Sequence, residues 1–149
     1  MSQTPAPYTG FDQQFIAGSW CSGGSTQVLK NTNPYDGQLL TELPLASQAD
    51  VDRAFTAAEA AQCAWAHTGP AARAAILLKA VSIFDQRQAE IMRWLTEEAG
   101  STQIKAQIEW ASARAIVLES ASFPHRVHGL IMPSDIPGAE NRVYRRPLG

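Results

Sequence analysis

The chain has 149 residues, of which 45% are hydrophobic and 17% are charged, and its net charge is −2. This is the composition of one globular domain, and it gives no electrostatic reason to expect a nucleic-acid partner or binding to an anionic membrane. The sequence has neither an apolar run of roughly 18 residues nor a secretory signal pattern, so we expect no membrane association and a cytoplasmic location.

The first part of the chain predicts short strands. Residues 1–14 lack periodicity and indicate a flexible leader. Three stretches then favour strands, namely residues 15–20, which fold around Gly18 as a hairpin, residues 26–30 and residues 39–43. The Asn-Pro and Asp-Gly dipeptides within residues 33–37 predict a turn between the last two stretches.

The period then changes to that of amphipathic helices. Ser47 and Asp50 form the capping-box pattern of a first helix, Pro70 suits the first position of a second, and Gly100 is predicted as the C′ glycine of a third. The four predicted apolar faces are Val51, Ala54, Phe55, Ala58, Ala61 and Trp65; Ala74, Leu77, Leu78, Val81 and Phe84; Ile91, Trp94 and Leu95; and Ile104, Ile108, Ala111, Ala115, Leu118 and Ser122. Their many alanines predict close helix packing.

Two extended, proline-containing pieces follow the helices, at residues 131–138 and 142–149. Neither has a partner strand later in the chain, so we expect unpaired strand edges and a chain that has been cut. Strands, then helices, without βαβ alternation, indicate an α+β protein or part of a larger α/β protein.

Several short motifs occur in a specific order along nearly the whole chain. They are Phe15-Ile16-Ala17-Gly18-Ser19-Trp20, Asn33-Pro34 with Gly37, Pro44-Leu45-Ala46-Ser47 leading to Asp50-Val51-Asp52-Arg53-Ala54, Ala64-Trp65, Pro70-Ala71-Ala72-Arg73-Ala74-Ala75-Ile76-Leu77, Glu97-Glu98-Ala99-Gly100 and Tyr144-Arg145-Arg146-Pro147-Leu148-Gly149. In this order, they resemble the amino-terminal part of the NAD(P)-dependent aldehyde dehydrogenase superfamily. Residues 133–138 (PSDIPG) with Glu140-Asn141-Arg142 resemble the branch that contains bacterial aromatic-aldehyde dehydrogenases.

The resemblance implies an α/β fold and an enzyme that oxidises an aldehyde substrate to a carboxylic acid with NAD or NADP as cofactor. In the family, a cysteine thiolate attacks the carbonyl, hydride passes to the nicotinamide, and a glutamate-activated water hydrolyses the thioester. An asparagine side chain and a backbone N–H hold the oxyanion. These groups lie after the Arg-Pro-Leu-Gly strand, so we expect this chain to be an inactive fragment without catalytic or cofactor-binding residues.

The resemblance also implies an organisation and a partner. Residues 15–124 correspond to amino-terminal strands and helices of the cofactor domain. Residues 125–149 correspond to the start of an oligomerisation hairpin and a truncated linking strand, which implies a homo-oligomer. An alternative is a stand-alone interaction or regulatory module that binds a dehydrogenase subunit by strand addition. A third reading is a non-enzymatic helical scaffold, which a stable monomer would favour.

One binding site is implied within the matched segments. Several family members bind a monovalent cation through main-chain oxygens near the Asn-Pro turn and an acidic residue before a Thr-Gly or Ala-Gly pair. Asn31 and Thr32 occupy the turn side here, and Glu98 occupies the acidic side. A carboxylate at a helix C-terminus opposes the helix dipole, so a nearby cation would be favourable there.

We expect the cysteines, histidines, tryptophans and basic residues of the chain to have structural rather than catalytic or metal-binding roles. We expect Cys21 and Cys63 to be small buried hydrophobes, because Cys63 has no His or basic residue predicted nearby. His125 and His128, even with His67, are not expected to bind a metal, because positions i and i+3 of a loop or strand do not share a face. Trp20, Trp65, Trp94 and Trp110 are expected in the core or at interfaces, Lys79, Arg87 and Arg93 on exposed faces, and Arg142, Arg145 and Arg146 on a strand without a nucleic-acid role.

Overall fold

The computed structural model describes residues 9–148, which form three antiparallel two-stranded hairpins and a layer of helices. The strands are β1 (Gln14–Ile16), β2 (Ser19–Cys21), β3 (Val28–Thr32), β4 (Leu39–Pro44), β5 (Leu130–Pro133) and β6 (Glu140–Val143). The helices are α1 (Gln48–Ala66), α2 (Pro70–Gln86), α3 (Gln88–Glu97), α4 (Gln103–Ser120) and a short 3₁₀ helix (Phe123–Arg126). The predicted α/β class and element order are confirmed, with four strands rather than three before α1. Residues 1–8 of the predicted leader lie outside the described range.

Tight turns close the first two hairpins. Ala17 and Gly18 both have positive φ, at 53° and 82°, and this conformation matches the right-handed twist of the strands β1 and β2. The predicted turn between β3 and β4 is closed by Gly37, which has a φ of 75° and donates its N–H to the Asn33 carbonyl at 2.8 Å.

The helix starts follow the sequence signals. Ser47 and Asp50 form the reciprocal capping box of α1, Pro70 is the first residue of α2, and the Thr102 side chain caps α4 by accepting from the Lys105 N–H. Gly100 is displaced by one position from its prediction. It has a φ of 64° and lies two residues after the cap Glu98, where it lets Ser101 donate to the Leu95 carbonyl at 3.1 Å.

The buried core of the described residues lies where α2 packs against α3, α4 and the 3₁₀ helix. Its buried hydrophobic residues are Ala74, Val81, Ala106 and Ala121. Small side chains let helix backbones approach closely, but of these alanines only Ala74 belongs to the alanine-rich faces that the sequence predicted. Polar contacts add to the α2–α4 interface, since the Trp110 indole N–H donates to the Phe84 carbonyl at 3.1 Å.

Helix α1 is fixed mainly at its two ends. At its start, the Asp50 carboxylate accepts the Gly24 N–H at 2.7 Å and so connects the helix to the loop after β2. At its end, the Arg73 guanidinium donates to the carbonyls of Trp65 at 2.8 Å and Ala66 at 3.2 Å. Among the described helices and strands, α1 packs against β1, and the Arg73 hydrogen bonds join it to α2.

The predicted apolar face of α4 does not face the helices of this chain. Ile104 and Ile108 are 75% and 60% exposed, whereas Ala106, on the opposite side of the helix, is fully buried. We call the two sides the isoleucine stripe (Ile104, Ile108, Ala111, Ala115 and Leu118) and the packed stripe (Ala106, Trp110, Ala113, Val117 and Ala121). Periodicity identifies an apolar stripe but does not show which element packs against it. Helix α4 has two such stripes, on opposite sides.

The predicted face of α1 is also largely open, with Phe55 75% exposed and Val51 and Trp65 exposed as well. In α2 the prediction holds for Ala74 and Val81, which are buried, while Leu77 is half-buried and Leu78 is exposed. Lys79 is exposed, as expected.

The two carboxy-terminal extended pieces pair with each other, so the expectation that each lacks a partner is wrong. Leu130 pairs with Val143 and Pro133 pairs with Glu140, because residues 134–139 turn the chain back at Gly138, whose φ is 78°. All residues of β5 and β6 are exposed, and this hairpin contacts no other described helix or strand. Within residues 9–148, no helix combines the length and apolarity needed to cross a bilayer.

Candidate functional site

The turn after β3 and the end of α3, next to the residues of the predicted cation site, lie close together. A Cβ placed on Gly100 would lie 3.0 Å from Cγ of Pro34, so the turn after β3 lies directly against the end of α3.

The turn side of the site has irregular backbone pairing. Asn31 is half-buried and opposite Thr41, whereas Thr32 is opposite Leu39, so the register shifts between Asn31 and Thr32. Such a bulge interrupts the ladder of hydrogen bonds and leaves main-chain groups available to other partners. The next residue is more constrained, since the Asn33 side chain accepts the Tyr35 N–H at 2.9 Å.

The acidic side of the site is the C-terminal end of α3. Glu98 is exposed, caps the helix by donating its N–H to the Trp94 carbonyl at 2.8 Å, and lines a cavity of about 630 Å³ with Phe11 and Trp94. The Phe11 and Trp94 rings lie 4.3 Å apart. Among residues 9–148, no group of three or more His, Cys, Asp or Glu side chains is arranged to hold a metal ion, so a cation here would depend on main-chain oxygens.

The two cysteines differ from their predicted surroundings. Cys63 is exposed rather than buried, because it lies on the outer side of α1. Nδ1 of His67 is 2.7 Å from the Cys63 carbonyl oxygen, one helical turn away, so a histidine lies beside the backbone of Cys63. Cys21 is half-buried, and its thiol donates to the Gln14 carbonyl at 3.5 Å.

The tryptophans and cations divide between the interior and the surface. Trp94 and Trp110 are half-buried, whereas Trp20 and Trp65 are exposed in this chain. Arg87 was expected on an exposed face, but it is half-buried and 3.4 Å from the Glu90 carboxylate. Arg93 is exposed, as predicted, with its guanidinium 5.3 Å from the Trp94 ring.

The described residues lack the sheet topology of a dinucleotide-binding βαβ unit. All three sheets are antiparallel hairpins, so no parallel βαβ unit is present within residues 9–148. Of the helices, α1 follows a strand most closely, but the Asp50 carboxylate already accepts the Ser47 N–H at 2.8 Å and the Ser47 hydroxyl. A negative group therefore lies where a helix N-terminus would otherwise accept a phosphate.

Several contacts that organise this region are not evident from the sequence. The Asp50–Gly24 hydrogen bond joins segments 26 residues apart, and only the local capping box is predictable from spacing. The Arg114 guanidinium makes a two-pronged ion pair with Asp85 at 2.5 and 2.9 Å, which joins α4 to α2 and lowers the pKa of Asp85. No sequence signal relates either pair, because the contacts arise from tertiary packing.

Comparison with known proteins identifies the class to which this fold belongs. Residues 20–149 match the aldehyde dehydrogenase family. The chain is 47% identical over 146 residues to a vanillin dehydrogenase of Corynebacterium glutamicum, covering 97% of this chain and 30% of that protein. It is 40% identical to the benzaldehyde dehydrogenase YfmT of Bacillus subtilis, covering 95% of this chain and 29% of that protein. The chain therefore belongs to the aldehyde dehydrogenase family.

Solved structures agree. The crystal structure of an NAD-dependent benzaldehyde dehydrogenase from Corynebacterium glutamicum superposes with a TM-score of 0.86 at 46% identity, covering 93% of this chain and 30% of that chain. A putative aldehyde dehydrogenase from Bacillus subtilis gives a TM-score of 0.87 at 34% identity, covering 92% of this chain and 30% of that chain. The chain thus spans about 30% of the length of these relatives, in their amino-terminal part. The predicted resemblance is confirmed, and nothing in the comparisons supports the alternative of a regulatory module.

Proposed function

We propose that this chain forms the amino-terminal part of an enzyme that oxidises an aromatic aldehyde to a carboxylic acid, with NAD or NADP accepting the hydride. The proposal is carried by the 47% identity to a vanillin dehydrogenase. The benzaldehyde dehydrogenases among the similar proteins support the same substrate class. The residues of this chain supply structure in that enzyme: they present the Asn-Pro turn, the α2–α4 helical layer and a projecting hairpin.

The 149-residue chain by itself should be inactive. It has no matched nucleophile or base, and its described residues lack the sheet topology of a dinucleotide-binding βαβ unit. We expect no rise in reduced-cofactor absorbance when the chain is mixed with NAD and benzaldehyde. Turnover that disappears in Cys63→Ala or Cys21→Ala would contradict the structural role that we assign to these cysteines.

A chimera tests the proposal directly. Residues 1–149 are joined to the remainder of the Corynebacterium glutamicum vanillin dehydrogenase, in place of the matching segment. We expect the chimera to oxidise vanillin and benzaldehyde with NAD, because 47% identity preserves the packing surfaces. A chimera that is folded by circular dichroism, elutes like the parent enzyme and yet lacks turnover would overturn the proposal.

We also propose that the β5–β6 hairpin pairs subunits in the homo-oligomer. The support is its exposed surface, with Ile131 70% and Val143 41% exposed, and the absence of packing against other described elements. In the chimera, Ile131→Asp should dissociate the oligomer in light scattering, because it places a charge in an apolar interface. Ile76→Asp, at an exposed α2 position, is the matched control. An oligomer that survives Ile131→Asp would argue against this role.

The third proposal is a monovalent cation held by main-chain oxygens of Asn31 and Thr32 and by the Glu98 carboxylate. Contact between the Asn33-Pro34 turn and Gly100 supports it. Potassium should raise the melting temperature of the chimera relative to tetramethylammonium at equal ionic strength, since a ligand of the folded state stabilises it. Glu98→Gln should abolish this rise in melting temperature. Glu59→Gln, at an exposed position of α1, should leave the rise unchanged. Equal potassium effects in both variants would reject the site.

A further inference from the structure

Three arginines line one cleft for which neither the family chemistry nor the cation site has a use. This cleft has a volume of about 430 Å³ and lies between the end of α1, the beginning of α2 and the segment after β6. Its charged lining consists of Arg73, Arg145 and Arg146, and its other walls include Gln62, Trp65 and Val127. No Asp or Glu lines it. We call it the arginine cleft.

Arg73 is held rigidly at one wall. One of its terminal nitrogens donates to the carbonyls of Trp65 and Ala66, and the guanidinium carbon lies 5.1 Å from the centroid of the Trp65 ring. Its Nε is buried and finds no acceptor among the described residues. The positive charge of Arg73 is therefore fixed in direction by α1, while its capacity to donate hydrogen bonds is only partly used.

Arg145 and Arg146 supply charge from the opposite wall. Both are exposed, and among residues 9–148 neither has a carboxylate within ion-pairing distance. A second cavity, of about 470 Å³, adjoins the first through Val127 and Arg145. It adds His128 and Arg126, whose guanidinium lies 2.9 Å from the Glu119 carboxylate, and no acidic residue lines it.

This concentration of positive charge is a local feature in a chain whose net charge is −2. Clefts lined by charge of one sign concentrate the field and attract counter-ions. Guanidinium groups match the oxygens of phosphate in two-pronged geometry, and a dianion compensates several of them where a monoanion compensates one. We propose that the arginine cleft binds a phosphate group, as inorganic phosphate or as the phosphate of a small phosphorylated molecule.

The test uses calorimetric titration of the 149-residue chain with inorganic phosphate and, separately, with phenyl phosphate, at constant ionic strength set by chloride. The key variants are Arg145→Gln and Arg146→Gln, which lie outside helices and strands and leave the buried core untouched. Arg142→Gln is the matched control, because it removes the same charge from an exposed residue of β6 that does not line the cleft. Benzoate serves as the monoanionic comparison.

We expect saturable binding of one phosphate, weakened about ten-fold or more by each key variant and little affected by Arg142→Gln. Tighter binding of phenyl phosphate than of inorganic phosphate would identify a phosphorylated molecule as the ligand, and the reverse would identify the free ion. Absence of saturable binding, equal weakening by Arg142→Gln, or benzoate bound as tightly as phosphate would overturn the proposal.

Discussion

At the scale of single residues, Asp50 makes the densest set of polar contacts in the described chain. One carboxylate oxygen accepts the Gly24 N–H, the Ser47 N–H and the Ser47 hydroxyl, and the other lies 2.6 Å from the Arg53 guanidinium. The backbone N–H of Ser47 is the largest cause, followed by that of Gly24, of a pKa held well below the usual range of a carboxyl. The charged form of Asp50 therefore joins the loop after β2 to α1.

This arrangement predicts how stability depends on pH. The folded pKa of Asp50 is lower than its value of about 3.9 in an unfolded chain, so the ionised group adds stability above about pH 4. That contribution is lost as the pH falls towards the folded pKa. Asp50→Asn should lower the urea midpoint at pH 7, and its difference from the unsubstituted chain should shrink between pH 5 and pH 2.5. Asp52→Asn, at an exposed neighbouring position, should match the unsubstituted chain at each pH. A constant difference would show that Asp50 acts without its charge.

Two glycines test the contact between the Asn33-Pro34 turn and the end of α3. Gly37 and Gly100 have similar positive φ values of 75° and 64°, but only Gly100 has a neighbour within 4 Å, namely Pro34. Gly37→Ala should cost about 1–2 kcal/mol for the left-handed backbone alone. Gly100→Ala should cost about 1 kcal/mol more in denaturant unfolding, because its Cβ would lie only 3.0 Å from Cγ of Pro34 and force that ring to move. Equal costs would mean that the turn moves away freely from α3.

At the scale of elements, α4 has two apolar stripes that lie on opposite sides of the helix. The packed stripe meets α2 and α3 with small side chains and Trp110, while the isoleucine stripe is open in this chain. The large isoleucines carry the stronger hydrophobic signal in the sequence, so periodicity predicts packing on the side that is open in the structure. The alanines of the packed stripe carry a weaker hydrophobic signal than the isoleucines, although they are more buried.

Substitution of the small Ala106 on the packed stripe should therefore lower the free energy of unfolding more than substitution of the large Ile108 on the isoleucine stripe. Ala106→Leu should cost about 1–3 kcal/mol of unfolding free energy, because Ala106 is fully buried and added carbons would have to displace its neighbours. Ile108→Ala should change it by about 0.5 kcal/mol or less, since Ile108 is 60% exposed. Chemical denaturation of both variants decides the matter, and a larger loss for Ile108→Ala would show that the isoleucine stripe is covered in solution.

At the scale of the whole molecule, the described residues have a small buried core and extensive exposed apolar surface. No large side chain within residues 9–148 is fully buried, whereas Ile104, Ile131 and Phe55 are each at least 70% exposed. A chain with this distribution should associate with itself or with further polypeptide.

Hydrogen exchange should reveal an uneven distribution of stability. In a monomer of the 149-residue chain, amides of β5 and β6 should exchange faster than those of α2 and α4, because the hairpin packs against no other described element. Truncation after Pro124 should improve solubility by removing this exposed hairpin. A monomer with strong protection throughout residues 127–146 would favour the stand-alone module over the enzyme part.

The sequence predicts turns and helix starts correctly, but it does not predict which elements contact each other. The capping box at Ser47, Pro70 at the start of α2 and the turn at Gly37 were predictable because short-range backbone chemistry determines them. The pairing of β5 with β6 was missed, because the loop between them has no two-residue turn signal. The three residues proposed for the cation site come from the family resemblance, whereas the proximity of Pro34 to Gly100 is evident only in the fold.

The attachment of α1 at its two ends has a consequence for partial unfolding. Because Asp50–Gly24 and Arg73–Trp65 are polar contacts, detaching this helix as a unit would expose little apolar area to water. The denaturant dependence of an opening reaction scales with the area that it exposes. Exchange of α1 amides should therefore be nearly independent of urea but accelerate with salt, whereas opening of the α2–α4 layer should follow urea. The chain would then have two opening reactions of different physical character, one governed by charge and the other by surface area.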